Sequence, residues 1–135
     1  MREFSQAEKK SPSVRVLVVD DEPLIRWSVV ETLIDQGFEV VEAPDGRAAV
    51  SALDGGPGFD VVLLDFRLPD SNDLTLLSTI RRQSPRSQII LMTAYGTPEV
   101  TKGALDLGAF RVVSKPFEMS DMAALVAQAR AARPH

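Results

Sequence analysis

Four apolar runs in this chain each end at a side chain that can bind a metal ion or a phosphate group. The runs are continuous rather than alternating, which is typical of parallel strands buried on both faces of a sheet. Their ends carry Asp20, Asp21, Asp65, Thr93 and Lys115. Segments of helical spacing separate the runs. Strands that alternate with helices predict right-handed crossovers and therefore a doubly wound α/β fold with one parallel sheet.

The pattern predicts five strands and five helices. The expected strands cover 14–19, 38–42, 61–64, 89–92 and 112–114, and the expected helices cover 23–36, 45–53, 73–82, 98–107 and 120–130. Asp21 is a suitable cap for the first helix, Pro23 fits its first turn and Gly37 ends it. The residues expected on its buried side are Leu24, Ile25, Val29, Leu33 and Ile34.

Length and composition limit the class of protein. A chain of 135 residues fits one domain, which we place at 14–131, with a disordered arm at 1–13 and a tail at 132–135. The net charge of -4 gives no reason to expect direct nucleic-acid binding. No apolar run reaches the length of a membrane span, and the N-terminal residues do not form a secretory signal. The absence of cysteine excludes disulfides and fits a cytoplasmic, reducing location.

Carboxylates at the predicted strand ends indicate a metal site. Ligands of doubly wound sheets bind outside the carboxyl ends of the strands. Asp20, Asp21 and Asp65 would repel one another there unless a cation lay between them. Mg²⁺ prefers oxygen ligands, whereas zinc prefers cysteine and histidine, and the chain offers neither nearby.

Asp65 is the best candidate for a nucleophile, because a carboxylate can accept a phosphoryl group as an acyl phosphate. Thr93 offers a hydroxyl and Lys115 a positive charge to a phosphoryl group, and Pro116 allows a cis peptide bond after Lys115. Each residue alone is an ordinary cap or turn residue. Their joint position at four successive strand ends is the specific signal.

Two other functions of the same topology fit less well. A phosphatase with an aspartyl nucleophile needs a second Asp two residues after the first, and Arg67 stands there. A flavin-binding module needs a phosphate loop rich in glycine and hydroxyl groups after the first strand. Asp20 and Asp21 would repel a phosphate at that position.

The motifs at the strand ends resemble the receiver domain of two-component response regulators. The matching segments are 18–23 (VVDDEP), 64–70 (LDFRLPD), 91–96 (LMTAYG) and 108–117 (GAFRVVSKPF). The resemblance runs from Val14 to Arg130, and the sequences of the matching segments are most like those of receivers of sigma-54-activator-type regulators. It implies the flavodoxin-like strand order 2-1-3-4-5, an order that is also a general example for doubly wound folds.

The resemblance also implies roles for the site residues. Asp65 would accept a phosphoryl group from a sensor histidine kinase or a phosphotransfer protein. Asp20, Asp21, Asp65 and the backbone carbonyl of Arg67 would hold Mg²⁺. Thr93 and Lys115 would bind the phosphoryl group. Such a protein is not an enzyme in the usual sense, although it assists its own phosphorylation and dephosphorylation.

Two surfaces have implied partners. Phosphorylation in the family changes the face formed by the fourth helix, fifth strand and fifth helix, here 98–107, 111–114 and 119–130. The resemblance implies a possible homodimer through this face. The first helix, with Ile25, Trp27 and Ser28, would lie near the kinase-docking surface. Arg67 and Tyr95 stand at positions that tune the lifetime of the phosphate.

Two positions depart from the family pattern. Asp73 replaces a usual glycine, although Asp tolerates unusual dihedral angles and can cap the next helix. Val112 replaces a usual aromatic residue, and Phe110 is expected on the same face of the strand. These departures leave open an atypical receiver that signals by protein binding without phosphorylation.

Overall fold

Five strands alternate with five helices in a computed structural model, which describes residues 14–132. The strands are β1 (Arg15–Val19), β2 (Glu39–Ala43), β3 (Val61–Asp65), β4 (Gln88–Thr93) and β5 (Arg111–Ser114). The helices are α1 (Pro23–Asp35), α2 (Gly46–Leu53), α3 (Thr75–Gln83), α4 (Pro98–Asp106) and α5 (Met119–Ala131). The predicted arm at 1–13 and residues 133–135 of the predicted tail lie outside the described residues. Within 14–132, no helix is long and apolar enough to cross a membrane.

The strands form one parallel sheet in the order β2-β1-β3-β4-β5, which confirms the predicted topology. The chain passes from β1 outward to β2 and then returns to the other side of β1 to form β3. The carboxyl ends of β1 and β3 are therefore adjacent, with Val19 paired to Leu64. This switch in winding direction is the place where doubly wound sheets bind their ligands.

Each face of the sheet has its own apolar core. The helices α2, α3 and α4 cover one face, with Ala49, Leu77, Ile80 and Ala104 fully buried. The helices α1 and α5 cover the other, with Val29, Leu33, Met122 and Val126 fully buried. All residues of β3 are buried, as the continuous apolar run predicted. Burial of each large apolar side chain contributes about 1.5–3 kcal/mol.

The first helix differs from its prediction in two ways. Its N-cap is Glu22, and Asp21 does not cap it; instead the Asp20 carboxylate accepts a hydrogen bond from the Glu22 N–H at 2.8 Å. Leu24 and Ile34 are exposed, whereas Val30 is buried with Val29 and Leu33. The cause is geometric: the stripe along which α1 contacts the sheet and α5 is too narrow to include the apolar residues of α1 that flank it.

Phe110 does not share a face with Val112, so that prediction is wrong. Phe110 lies before β5 and packs with the cluster under α1 and α5, while Val112 packs with the cluster under α2, α3 and α4. Alternation along a strand holds only inside the strand, and Phe110 is outside it. Phe110 therefore does not stand in for the missing aromatic residue.

Candidate metal and phosphate site

Three carboxylates meet at the carboxyl ends of β1 and β3. Asp20, Asp21 and Asp65 each place an oxygen within 4.8 Å of the other two. Asp20 and Asp65 are buried and Asp21 is exposed. The backbone around Asp20 is fixed, since its N–H donates to the Ala43 carbonyl at 3.1 Å and its own carbonyl accepts from the Arg26 guanidinium at 2.6 Å. The sequence prediction of a carboxylate cluster is thus matched by the geometry.

The Lys115 ammonium lies beside this cluster. Its Nζ donates to Asp20 Oδ2 at 3.0 Å, to Asp65 Oδ2 at 3.1 Å and to Glu22 Oε1 at 3.1 Å. Burial acts to lower the pKa of Lys115, but the surrounding carboxylates outweigh that effect and raise it above its usual value. Lys115 therefore carries a fixed positive charge. The Lys115–Pro116 peptide bond is cis, as the sequence allowed.

The surroundings of Asp65 disfavour the ionised form of its carboxyl group. Burial, followed by the charge of Asp20, raises the pKa of Asp65 from 3.8 to about 6. Lys115 and the Arg67 N–H, which donates to Asp65 Oδ1 at 3.3 Å, act in the opposite direction and only partly compensate. A cation between the three carboxylates would remove the repulsion that remains.

Thr93 ends β4 next to Lys115. The Thr93 side chain is buried, its carbonyl accepts from the Lys115 N–H at 2.8 Å, and its Oγ1 accepts from the Tyr95 N–H at 3.2 Å. Tyr95 itself is exposed. The backbone bond to Lys115 places both predicted phosphate-binding residues at neighbouring strand ends.

An open hollow of about 370 Å³ exposes the cluster to solvent. Its lining residues are Asp21, Glu22, Asp65, Arg67, Leu68, Pro69, Ala94 and Lys115. A larger hollow of about 550 Å³ lies between α2 and α3. Its carboxylates are already used by backbone groups, because Asp70 accepts from the N–H groups of Gly46 and Arg47. The carboxylate cluster therefore lies in the smaller hollow.

Asp73 fits the loop between β3 and α3. The Asp73 carboxylate accepts from the N–H of Thr75, the first residue of α3, at 2.9 Å, and this bond lowers the pKa of Asp73. The loop is also closed by paired backbone bonds between Leu68 and Ser71. Asp73 thus supports the first N–H of α3, but the prediction that it caps this helix is wrong, because the N-cap is Leu74 and no side chain caps it.

Two site residues were not predicted from sequence. Glu22 contacts Lys115, and Arg26 fixes the Asp20 carbonyl while its Nε donates to Glu42 at 3.0 Å. The available signal was position alone: Glu22 follows Asp20 and Asp21 directly, and Arg26 lies one helical turn further on the same side of α1.

The site suits a hard divalent cation. Carboxylate oxygens are the ligands that Mg²⁺ and similar ions prefer, and the three that converge here include a buried acid whose ionisation is disfavoured without a counter-charge. Arg67 lines the same hollow, two residues after Asp65. The acidic hollow is therefore compatible with a divalent metal.

Comparisons with known proteins agree with the fold and indicate the family. The family model described as "Response regulator receiver domain" matches residues 16–127. Regulatory protein AtoC of Escherichia coli is 39% identical over 116 residues, which are 85% of this chain and 25% of AtoC. Response regulator protein PilR of Pseudomonas aeruginosa is 36% identical over 85% of this chain and 26% of its own length.

The receiver domain of NtrX from Brucella abortus has the same architecture, with a TM-score of 0.77, 32% identity and coverage of 87% of this chain and 98% of that one. The chain belongs to the response regulator receiver domain family of two-component systems. AtoC and PilR are sigma-54-activator-type regulators, which confirms the predicted likeness to that group. The chain spans about a quarter of the length of these two relatives.

Proposed function

We propose that this receiver is phosphorylated on Asp65 in a Mg²⁺-dependent reaction, with a sensor histidine kinase or a phosphotransfer protein as donor. The observation that supports this proposal is the position of the buried Asp65 carboxylate, which lies close to two further carboxylates and accepts a hydrogen bond from the Lys115 ammonium. The carboxylates supply oxygen ligands for a cation, and Lys115 supplies a fixed positive charge. Phosphoryl transfer requires this combination of positioning and charge neutralisation.

Each residue has a defined task in the proposed reaction. An Asp65 carboxylate oxygen attacks the phosphorus atom, and the bond between phosphorus and the donor's leaving atom breaks. Asp20, Asp21, Asp65 and the Arg67 carbonyl would hold Mg²⁺, which when bound supplies positive charge to the phosphoryl oxygens. Lys115 and the Thr93 hydroxyl donate to those oxygens. The same groups assist the later hydrolysis of the acyl phosphate, and no separate substrate is turned over.

Two surfaces carry the proposed interactions. The exposed Leu24 and Trp27 of α1 lie on the side of the molecule where the phosphodonor protein would dock. The face of α4, β5 and α5 would change on phosphorylation and form a homodimer. We propose that the folded unit at 14–131 works in the cytoplasm in the control of transcription, because its matched relatives include transcription regulators, and that it does not itself bind nucleic acid.

The test is phosphorylation by a small donor. Acetyl phosphate and Mg²⁺ are expected to add one phosphate to the wild-type chain, detected by intact mass, and the Asp65→Asn variant should gain none. Asp54→Asn, a change of an exposed Asp at the end of α2, is the matched control and should be phosphorylated normally. Addition of a chelator should abolish the adduct.

A negative result would be equally informative. If saturating donor gives no adduct while Mg²⁺ binding is demonstrated, the chain is an atypical receiver that signals by protein binding alone. The intact set of Asp65, Thr93 and Lys115 in one site is the observation that opposes this alternative.

A further inference from the structure

We propose that Glu22 is a positioning residue for Lys115. The Glu22 carboxylate competes with the phosphoryl group for one hydrogen-bond donor of the Lys115 ammonium. This inference rests on the proposed phosphorylation of Asp65. It concerns a residue outside the carboxylate cluster, and it predicts that this residue sets how readily Lys115 can serve the reaction.

The donors of Lys115 are fully used in the structure. A lysine ammonium has three N–H donors, and here each meets a carboxylate, at 3.0 Å for Asp20 and 3.1 Å for both Asp65 and Glu22. The Lys115 side chain is only 10% exposed, so water does not compete strongly for the ammonium. A phosphoryl group that approaches the Asp65 carboxylate can therefore gain a bond from Lys115 only if an existing partner releases it.

Glu22 is the partner that is least costly to release. The side chains of Asp20 and Asp65 are 1% and 7% exposed, and loss of the ammonium would leave either carboxylate buried without that charge partner. The Glu22 side chain is 56% exposed, so water can replace the ammonium around its carboxylate. Exposed ion pairs are worth only about 0–1 kcal/mol for the same reason.

The backbone of Glu22 is fixed, so the exchange involves its side chain. The Glu22 N–H donates to Asp20 Oδ1 at 2.8 Å, and the Glu22 carbonyl accepts from the Arg26 N–H at 2.9 Å. Neither bond uses the Glu22 carboxylate. Substitution of this side chain can therefore alter the Lys115 contact while both backbone bonds that shape the start of α1 are kept.

The Glu22–Lys115 ion pair also separates two hollows. Glu22, Ala94 and Lys115 line both the acidic hollow and a neighbouring hollow of about 370 Å³. The second hollow is largely apolar, and its other lining residues are Ile25, Pro116, Phe117 and Met119. The Glu22–Lys115 ion pair therefore lies at the boundary between the two hollows.

Kinetics of phosphorylation by acetyl phosphate test the proposal. Glu22→Gln removes the charge, whereas Glu22→Asp keeps the charge and shortens the side chain so that it no longer reaches Lys115. Both variants should raise the maximal rate constant roughly two- to fivefold, as expected for release of an exposed ion pair. Glu31→Gln, an exposed change of the same charge further along α1, should leave the rate unchanged.

A second readout needs no phosphate donor. The Lys115 ammonium resonance in nitrogen-15 NMR should shift in both Glu22 variants and stay constant in Glu31→Gln, and melting temperatures should show that all variants remain folded. A shift in the NMR signal together with faster phosphorylation in both Glu22 variants supports the positioning role.

The remaining outcomes overturn the proposal in distinguishable ways. If the wild-type chain gains no phosphate, the proposed function fails and this inference fails with it. If the wild type is phosphorylated and both Glu22 variants match Glu31→Gln, only the inference fails. If Glu22→Gln alone is faster, through a lower half-saturating donor concentration that high salt abolishes, Glu22 acts by its charge and not by holding Lys115.

Discussion

Asp65 carries its charge in surroundings that disfavour it. Its pKa is raised from 3.8 to about 6 because the carboxyl is buried and lies near Asp20. The folded protein therefore binds this proton more tightly than the unfolded chain does. Ionised Asp65 destabilises the fold fully above pH 6, and this penalty fades as the pH falls from about 6 to 3.8.

A pH series can measure this penalty. In the presence of a chelator, Asp65→Asn should raise the melting temperature at pH 7 by roughly 4 °C, because the neutral amide removes the buried charge. The difference from wild type should shrink as the pH is lowered towards 4. Thermal unfolding of both proteins between pH 4 and 8 is the measurement, and a difference independent of pH would contradict the assignment of the raised pKa to Asp65.

Among the elements, α3 is connected to two neighbouring loops by one arginine. The Arg81 guanidinium donates to the carbonyls of Ser87 at 2.7 Å and Gly108 at 3.0 Å, and also to those of Ser84 and Pro85. It thus connects the end of α3, the loop to β4 and the loop between α4 and β5. Gly108 permits this approach: its φ is +102°, and a Cβ there would lie 2.8 Å from the Arg81 Cδ.

Loss of this connection should destabilise the protein. Arg81→Ala leaves several carbonyls without their charged donor, so the free energy of unfolding should fall by about 2 kcal/mol. The neighbouring variant Arg82→Ala loses one exposed bond to Ser78 and should change it by less than about 0.5 kcal/mol. Urea denaturation of both variants provides the comparison. Equal decreases in the free energy of unfolding would show that the bonds of Arg81 contribute no more to stability than the exposed bond of Arg82.

The strand ends could be predicted from the sequence because topology, rather than side-chain detail, brings them together. Once the apolar runs are parallel neighbours, Asp20, Asp65, Thr93 and Lys115 share one edge of the sheet. The contacts of Glu22 and Arg81 could not be predicted, since they depend on where long flexible side chains point across elements distant in sequence. The misplacement of Phe110 has another cause: it lies one residue before the strand, where the alternation rule does not apply.

At the scale of the whole molecule, the proposed metal binding would be linked to folding. A cation that binds the folded acidic site and not the unfolded chain stabilises the protein, by about 2.7 kcal/mol at a concentration of 100 times its Kd. The melting temperature at constant ionic strength should therefore rise with Mg²⁺ concentration. Asp21→Asn, which alters an exposed ligand, should weaken this response, whereas Glu31→Gln should retain it. An unchanged response in Asp21→Asn would exclude Asp21 as a ligand.

The sheet also divides the protein into two packing layers. The helices α1 and α5 contact one face, and α2, α3 and α4 contact the other. The edge formed by the carboxyl ends of the strands is the place where both layers meet, since Glu22 is the N-cap of α1 while the loop after Asp65 leads to α3. A change at this edge can therefore reach either layer through a short stretch of chain.

The tryptophan on α1 gives this arrangement a practical consequence. Trp27 is the only tryptophan in the chain, and it is 59% exposed. It lies little more than one helical turn after Glu22, on the layer formed by α1 and α5. Tryptophan fluorescence therefore originates from α1 alone, on one side of the edge that carries Asp65. The molecule carries a built-in optical reporter, so events near α1 can be followed in solution without attaching a dye.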